Sequence, residues 1–424
     1  MAPVLRLGAA LLAASLLFAG CEGAAEPKEQ AGRDGIPLSE TGGARSEAAP
    51  KQPAPPAPPE PPPPVEATLV AVGDVMMHTP QLPGAYDEQT GAYDFSGFFA
   101  PLSDVFAGAD WAVANLETPI AGDERGFRGY PMFNAPVALA NALAGAGFDV
   151  VSTANNHSLD QGFAGLVHTL TTLREHGVAP VGTAESEEAS QTLTTITRDG
   201  IRNTFLSYTY GTNGIPIPKD KPFAVNLIDD AKIESDIARA KAAGADIVTV
   251  SLHFGNEYQR EPNDEQKRIA RLAIQAGADL VLGHHPHVVQ PYERYRVVGP
   301  DGAERDGVIM YSLGNFISNQ FGGYKEYGAL LKVTFRKTYR ADGTAVTTVT
   351  ELDAIPTWVH KYVSGGKSRY RVLSLDDVAS KTDDPLLTPR TLAQLVDMHA
   401  EMNRHLDKLA VGVGEGVPAG GQPQ

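Results

Sequence analysis

The residues of this chain best suited to chemistry stand just behind apolar runs. Leu280-Val281-Leu282 leads into Gly283-His284-His285-Pro286-His287, three histidines in four consecutive positions. Imidazoles this close would repel one another if all were protonated, and neutral imidazole is the commonest metal ligand. Four more apolar runs end in the same way. Thr68–Val72 is followed by Asp74 and His78, and Trp111–Ala114 by Asn115 and Glu117. Phe148–Ser152 is followed by Asn156 and His157, and Asp246–Leu252 by His253 with Glu257 close behind. Val308–Tyr311 adds Asn315. Carboxylates, an amide and several imidazoles are the donor set for one or two divalent ions such as Mn, Zn or Fe. Such a centre activates water against an electrophilic phosphorus or carbonyl, while a histidine beside it protonates the leaving group. His157 and Glu257 are the candidate catalytic residues. Asp74, His78, Glu117, Asn156, His253, His285 and His287 are the candidate metal ligands, with Asn115, His284 and Asn315 around them.

Several segments must position these side chains. Ala135–Gly147, Phe163–His176, Asp229–Ala243 and Pro262–Gly277 read as helices, each stopping at or beside a glycine and feeding the next apolar run. Helix, glycine, strand and polar motif recur in that order, which is α/β organisation with the motifs at strand ends. Leu330–Phe335 and Val346–Leu352, joined across Ala341-Asp342-Gly343, read as an antiparallel pair, and Pro389–Leu409 as a polar amphipathic helix.

Ahead of this, Arg6, the apolar stretch Leu7–Phe18 and the small pair Ala19-Gly20 have the form of an export signal over residues 1–20. Cys21, the single cysteine of the chain, follows at once, and Phe18-Ala19-Gly20-Cys21 resembles a bacterial lipobox. With one cysteine there is neither an intrachain disulfide nor a thiolate metal cluster. Residues 21–65 are expected to form a lipidated stalk: ten of the fifteen residues from Pro50 to Pro64 are proline, which favours extended polyproline II. The folded domain is expected over 66–360, a C-terminal extension with a helix over 361–410, and a disordered tail over 411–424. The formal net charge of −16 opposes nucleic-acid binding.

Taken in order, Gly-Asp-Val-Met-Met-His, Asn-Leu-Glu-Thr-Pro, Ala-Asn-Asn-His-Ser-Leu-Asp, His-Phe-Gly-Asn-Glu-Tyr, Gly-His-His-Pro-His-Val and Ser-Leu-Gly-Asn-Phe resemble the motifs of the capsule-synthesis CapA family. These are bacterial surface proteins of poly-γ-glutamate production, also called PgsA or PGA_cap. The similarity covers about residues 68–325. That family in turn resembles calcineurin-like metallophosphoesterases, which implies a four-layer α/β/β/α sandwich of the metallophosphoesterase type. The resemblance implies Asp74 as first aspartate ligand, Glu117 as bridging carboxylate, Asn156 as amide ligand and His157 as proton donor. His253, His285 and His287 correspond to the later imidazole ligands. The chain departs from the phosphoesterase pattern in three places. Three residues rather than one separate Asp74 from His78, and the bridging residue is Glu rather than Asp. One residue too many stands in Gly283–His287, so His285-Pro286-His287 is read as the ligand pair and the role of His284 stays open.

The expected function is therefore that of an extracytoplasmic, membrane-anchored lipoprotein, at the cell surface or in the periplasm. It would act in the synthesis or export of poly-γ-glutamate or a related envelope polymer, alongside a membrane polymer ligase. Two alternatives are a metal-dependent hydrolase of phosphoesters or γ-glutamyl amides, and a non-catalytic surface subunit that binds the anionic polymer. For so acidic a protein, bound divalent cations would supply the positive potential that a polyanion needs.

Overall fold

Along Val65–Val75, successive side chains enter different cores. Leu69 and Ala71 pack with Trp111, Val113, Leu280, Leu282 and Met310. Val70 and Val72 pack with Ala112, Ala114, Leu139 and Leu143. A strand buried on both faces alternates in this way only when a layer covers each face.

The computed structural model describes residues 60–298, 302, 304–380 and 383–410. The export signal, Cys21, most of the proline stalk and the tail after residue 410 lie outside the described residues. In chain order the first strands are β1 (Val65–Val75), β2 (Tyr86–Asp87), β3 (Ala92–Tyr93), β4 (Trp111–Leu116), β5 (Val150–Ser152), β6 (Ala179–Val181), β7 (Thr194–Arg198) and β8 (Ile201–Thr209). There follow β9 (Ile247–His253), β10 (Leu280–His284), β11 (Val289–Val298), β12 (Glu304–Leu313), β13 (Asn315–Ile317), β14 (Tyr327–Tyr339), β15 (Ala345–Ser364) and β16 (Lys367–Ser374).

One sheet has the order β16-β15-β14-β1-β4-β5-β6, with β13 added beside the end of β1; the other runs β11-β12-β10-β9-β8-β7. β1, β4, β5 and β6 are parallel, as are β12, β10, β9 and β8. The two sheets share the core containing Leu69, Trp111, Leu280 and Met310. On the outer face of the first lies the helix Ala138–Ala146, through Leu139, Ala140 and Leu143. On the outer face of the second lie Asp230–Ala242 and Asp264–Ala276, through Ile233, Ile237, Ile269 and Ile274. The result is the four-layer α/β/β/α sandwich expected from the motifs.

Local signals set the helix ends. The Asp229 carboxylate accepts from the Lys232 amide at 2.8 Å. Asn263 and Gln266 cap each other reciprocally, the kind of contact worth about 0.5–2 kcal/mol. Two glycines are required by close approach. A Cβ on Gly73 would lie 1.8 Å from the Gly314 carbonyl oxygen, and one on Gly283 would lie 1.9 Å from that of Tyr311. Each immediately precedes a polar strand end, Asp74 and His284.

β15 runs unbroken through position 360, and β16 completes the same sheet. The helix Pro389–Leu406 sends Met402 and Leu406 into the core between the sheets. β16 and the helix Pro389–Leu406 thus form part of the sandwich. Among the described residues no helix is long and apolar enough to cross a membrane.

Candidate metal centre

The parallel strands of both sheets deliver their C-terminal ends to one place. In the first sheet Asp74 is in register with Asn115 on one side and Asn315 on the other. In the second, His253 is in register with His284. The turn after β10 then bends sharply: His285 has φ 96° and His287 φ 59°, left-handed values that non-glycine residues avoid. Each costs on the order of 1–3 kcal/mol and persists only where surrounding structure enforces it. Here the Tyr258 amide donates to the Pro286 carbonyl at 2.8 Å, and Ser312 Oγ donates to the Val288 carbonyl at 2.8 Å. The consequence of that strain is that two imidazoles point into the same pocket.

Ligand-type atoms of Asp74, Glu117 and His287 lie within 4.8 Å of one another, and so do those of Glu117, His253 and His285. Glu117 belongs to both triads. A third group joins Glu257 to His285 and His287. Asp74 Oδ2 stands 3.1 Å from His287 Nδ1, while its Oδ1 accepts from Asn115 Nδ2 at 2.8 Å. Glu117 Oε1 is 3.5 Å from His253 Nε2 and 3.8 Å from His287 Nε2. Asn156 Oδ1 stands 3.0 Å from His253 Nε2, beside the second triad. Asp74, Glu117, Asn156, His253, His285 and His287 are all buried.

The pocket has unmet polar capacity. Glu117 Oε1 and His285 Nδ1 are buried without hydrogen-bond partners. Burial alone would raise the Asp74 carboxyl, but hydrogen bonding and charge from His284 and His287 hold it well below the usual range. Burial pushes Glu117 up, and the Asp74 charge adds to it. Burial disfavours the charged form of His287, yet Glu117 and Asp74 outweigh it and raise that imidazole to about 9. His285 falls to about 2 through burial and its histidine neighbours. The pocket thus pushes its groups apart, Glu117 and His287 upward and Asp74 and His285 downward, as burial and neighbouring charge dictate. Nitrogen and oxygen donors, orphaned lone pairs and a shared carboxylate fit one or two divalent ions of borderline hardness.

His157 stands beside the triads and belongs to neither. Its Nδ1 is 2.8 Å from Asp160 Oδ2, which also accepts the Phe133 amide at 2.7 Å, and the Phe133 ring lies edge-on at 4.7 Å. A carboxylate on Nδ1 fixes that tautomer and leaves Nε2 for proton transfer. Asn213 Nδ2 lies 3.4 Å from Nε2.

The remaining candidates take other positions. His78 turns its ring edge against Phe133 at 5.3 Å and its Nδ1 accepts from the Asn319 amide at 3.3 Å, outside all three groups. His284 is buried, its Nδ1 3.5 Å from Asp74 Oδ1 and its Nε2 without a hydrogen-bond partner. Asn315 donates to Gln320 Oε1 and to the Lys325 carbonyl, each at 2.9 Å. Glu257 is exposed. Sequence reasoning did not single out Asp160, although it lies three residues after His157 in the quoted motif. It also passed over Asn213 and Tyr210, whose ring lies 4.7 Å from that of His285. Neither of those two sits in a motif that could have marked it. A cavity of about 630 Å³ between β16 and the segment Gln81–Phe98 is lined by none of the triad residues, so the donor set, not concavity, defines this centre.

Comparison with known proteins agrees with the motifs. Residues 68–320 match the family model described as bacterial capsule synthesis protein PGA_cap. The PGA biosynthesis protein CapA of Bacillus subtilis is 30% identical over 342 residues, covering 75% of this chain and 80% of that protein. The capsule biosynthesis protein CapA of Bacillus anthracis is 29% identical over 301 residues, covering 68% of this chain and 66% of that one. Among solved structures, the Haemophilus influenzae NAD nucleotidase aligns over 80% of this chain and 61% of its own, with 12% identity and a TM-score of 0.40. A putative 5'-nucleotidase from Staphylococcus aureus aligns over 78% and 58%, with 12% identity and a TM-score of 0.41. The motifs, the extent of the family match and the relatives in Bacillus agree: the chain belongs to the bacterial capsule synthesis protein family PGA_cap.

Proposed function

We propose that this protein is a membrane-anchored, extracytoplasmic member of its family whose divalent-metal centre acts on poly-γ-glutamate or a related anionic envelope polymer. The observation that carries the metal reading is the sharing of Glu117 by two donor triads. A buried carboxylate common to both is what a two-ion centre requires. Asp74 and His287 would complete one half, and His253, His285 and the Asn156 amide oxygen the other. Divalent ions held there would supply Lewis-acid charge at an electrophilic carbonyl or phosphorus and acidify a water. The chain itself contributes the rest. Asn115 orients the Asp74 carboxylate, and Asp160 orients His157 and would stabilise its imidazolium form, from which Nε2 would deliver a proton to a leaving amine or alkoxide.

The His157–Asp160 pair favours hydrolysis of a γ-glutamyl amide or a phosphoester over passive polymer binding, because a binding subunit has no use for an oriented proton donor. Anchoring through Cys21 behind the export signal would hold the domain at the membrane where the polymer emerges, beside a membrane polymer ligase. The test is metal analysis of full-length protein combined with a panel of phosphoester and γ-glutamyl amide substrates. Metal uptake with turnover of one class supports the hydrolase. Metal uptake with polymer binding and no turnover supports the non-catalytic subunit, and no uptake of divalent metal removes the reading.

A further inference from the structure

Glu257 is the one member of the three donor groups that is exposed. Its partners are also unlike those of the other carboxylates. Glu117, fully buried, joins the two triads from inside. Glu257 reaches His285, which belongs to one triad, and His287, which belongs to the other, from the solvent side. Both glutamates thus keep company with His285 and His287, one of them buried and the other exposed.

The backbone that carries Glu257 is held at both ends. The Phe254 amide donates to the His284 carbonyl at 3.1 Å, and the Tyr258 amide to the Pro286 carbonyl at 2.8 Å. Between them Gly255 turns the chain at φ 98°, where a Cβ would come within 2.5 Å of the Gln266 side chain. Tyr258, at φ 66°, is a third left-handed non-glycine residue beside the centre. With the backbone tethered on either side, Glu257 leaves or returns by rotating its own side chain. In that position the Tyr258 phenol hydrogen-bonds its carboxylate.

We propose that Glu257 is a displaceable ligand: it closes the metal centre from the solvent side and yields its place to a carboxylate or phosphate oxygen of the incoming substrate. This rests on the two-ion reading given above. Exchange of one anion for another leaves the charge of the centre unchanged, and an exposed carboxylate regains water when released, so little opposes the swap. The buried donors Asp74, Glu117, His253, His285 and His287 have no such alternative, because leaving would strand a polar group in the interior. A tethered carboxylate competes at an effective concentration in the millimolar range, so its removal should tighten the binding of a free anion by about tenfold or more.

The experiment uses full-length protein loaded with Mn²⁺, as wild type, Glu257→Gln and Glu257→Ala, with inorganic phosphate and glutarate titrated separately by calorimetry. The expected result is unchanged metal content in both variants and a gain of about tenfold or more for at least one anion. A gain for phosphate alone identifies a phosphoester oxygen as the natural competitor, and a gain for glutarate identifies a carboxylate. Unchanged affinity for both anions with metal retained overturns the proposal, as does loss of metal to the level of His285→Ala, which would make Glu257 a permanent ligand. Wild-type protein that takes up no Mn²⁺ overturns this inference together with the metal reading. Metal uptake with unchanged anion affinity overturns this inference alone.

Discussion

Replacing Glu117 with glutamine keeps its shape and removes the charge shared by both triads. The structure assigns opposite signs to the two consequences. In the metal-free protein, burial and the neighbouring Asp74 raise the Glu117 carboxyl from 4.5 to about 8. A carboxyl whose folded value is raised contributes stability that is complete below its unfolded value and is lost as pH rises through the folded one. At pH 7 the unfolded chain gains by ionising while the folded chain must keep the proton. Between 4.5 and 7, at 1.36 kcal/mol per tenfold, this costs up to roughly 3 kcal/mol. Glutamine has no such penalty, so metal-free Glu117→Gln should melt at or above the temperature of metal-free wild type at pH 7, with the difference shrinking towards pH 4.5. Metal affinity should move the other way. Loss of a group that merely supports a ligand costs about 10–100-fold, so loss of a carboxylate common to both triads should cost about 100-fold or more, close to 3 kcal/mol. Calorimetric melting of chelator-treated protein and a competitive metal titration measure the two effects. A variant that melts lower without metal and binds metal as tightly as wild type would show that Glu117 is an ordinary structural carboxylate.

Three further outcomes are expected. His157→Ala should keep its metal content while any hydrolytic rate falls by about 10²–10⁴-fold, read by metal analysis and turnover on the same sample. His360 is buried, stacks on Trp358 with centroids 4.8 Å apart, and accepts from Arg371 Nε at 3.1 Å, a bond that requires neutral imidazole. Burial and the Arg371 charge lower it from 6.5 to about 4, so the unfolded chain binds the extra proton between those values. Stability should therefore fall by roughly 2 to 3 kcal/mol as pH drops from about 6.5 to about 4, and denaturant titrations of His360→Gln should show a flatter profile in that window. Cys21→Ser should release the mature protein from membranes and lack any lipid mass increment; co-sedimentation equal to wild type would remove the anchor from the account.

Much of the architecture was legible because buried parallel strands leave compact apolar runs. β4, β5, β9 and β10 follow directly from Trp111–Ala114, Phe148–Ser152, Asp246–Leu252 and Leu280–Leu282, and the helices between them end within a few residues of their capping signals. β11 was not, since Pro291 and the charged residues Glu293, Arg294 and Arg296 interrupt its apolar pattern. It is an edge strand, where proline is tolerated and one side is free of pairing. The helix Pro389–Leu406 reads as polar because only a narrow stripe, including Met402 and Leu406, enters the core. At the centre, motif order pointed to Asp74, Glu117, His253, His285 and His287, which do converge, but it could not separate His78 from them. Its placement depends on Phe133 and Asn319, which are remote in sequence. The same holds for Asn213, which reaches His157 from a turn with no motif of its own.

The central claim is that two donor triads are joined through Glu117. Electron paramagnetic resonance of metal-stripped full-length protein titrated with Mn²⁺ tests it most directly, because two ions sharing a carboxylate are magnetically coupled and isolated ions are not. Wild type should bind two ions per chain and develop a coupled signal, His253→Ala should retain one uncoupled ion, and Glu117→Gln should lose the coupling. No uptake by wild type, or two ions that never couple, would contradict the account.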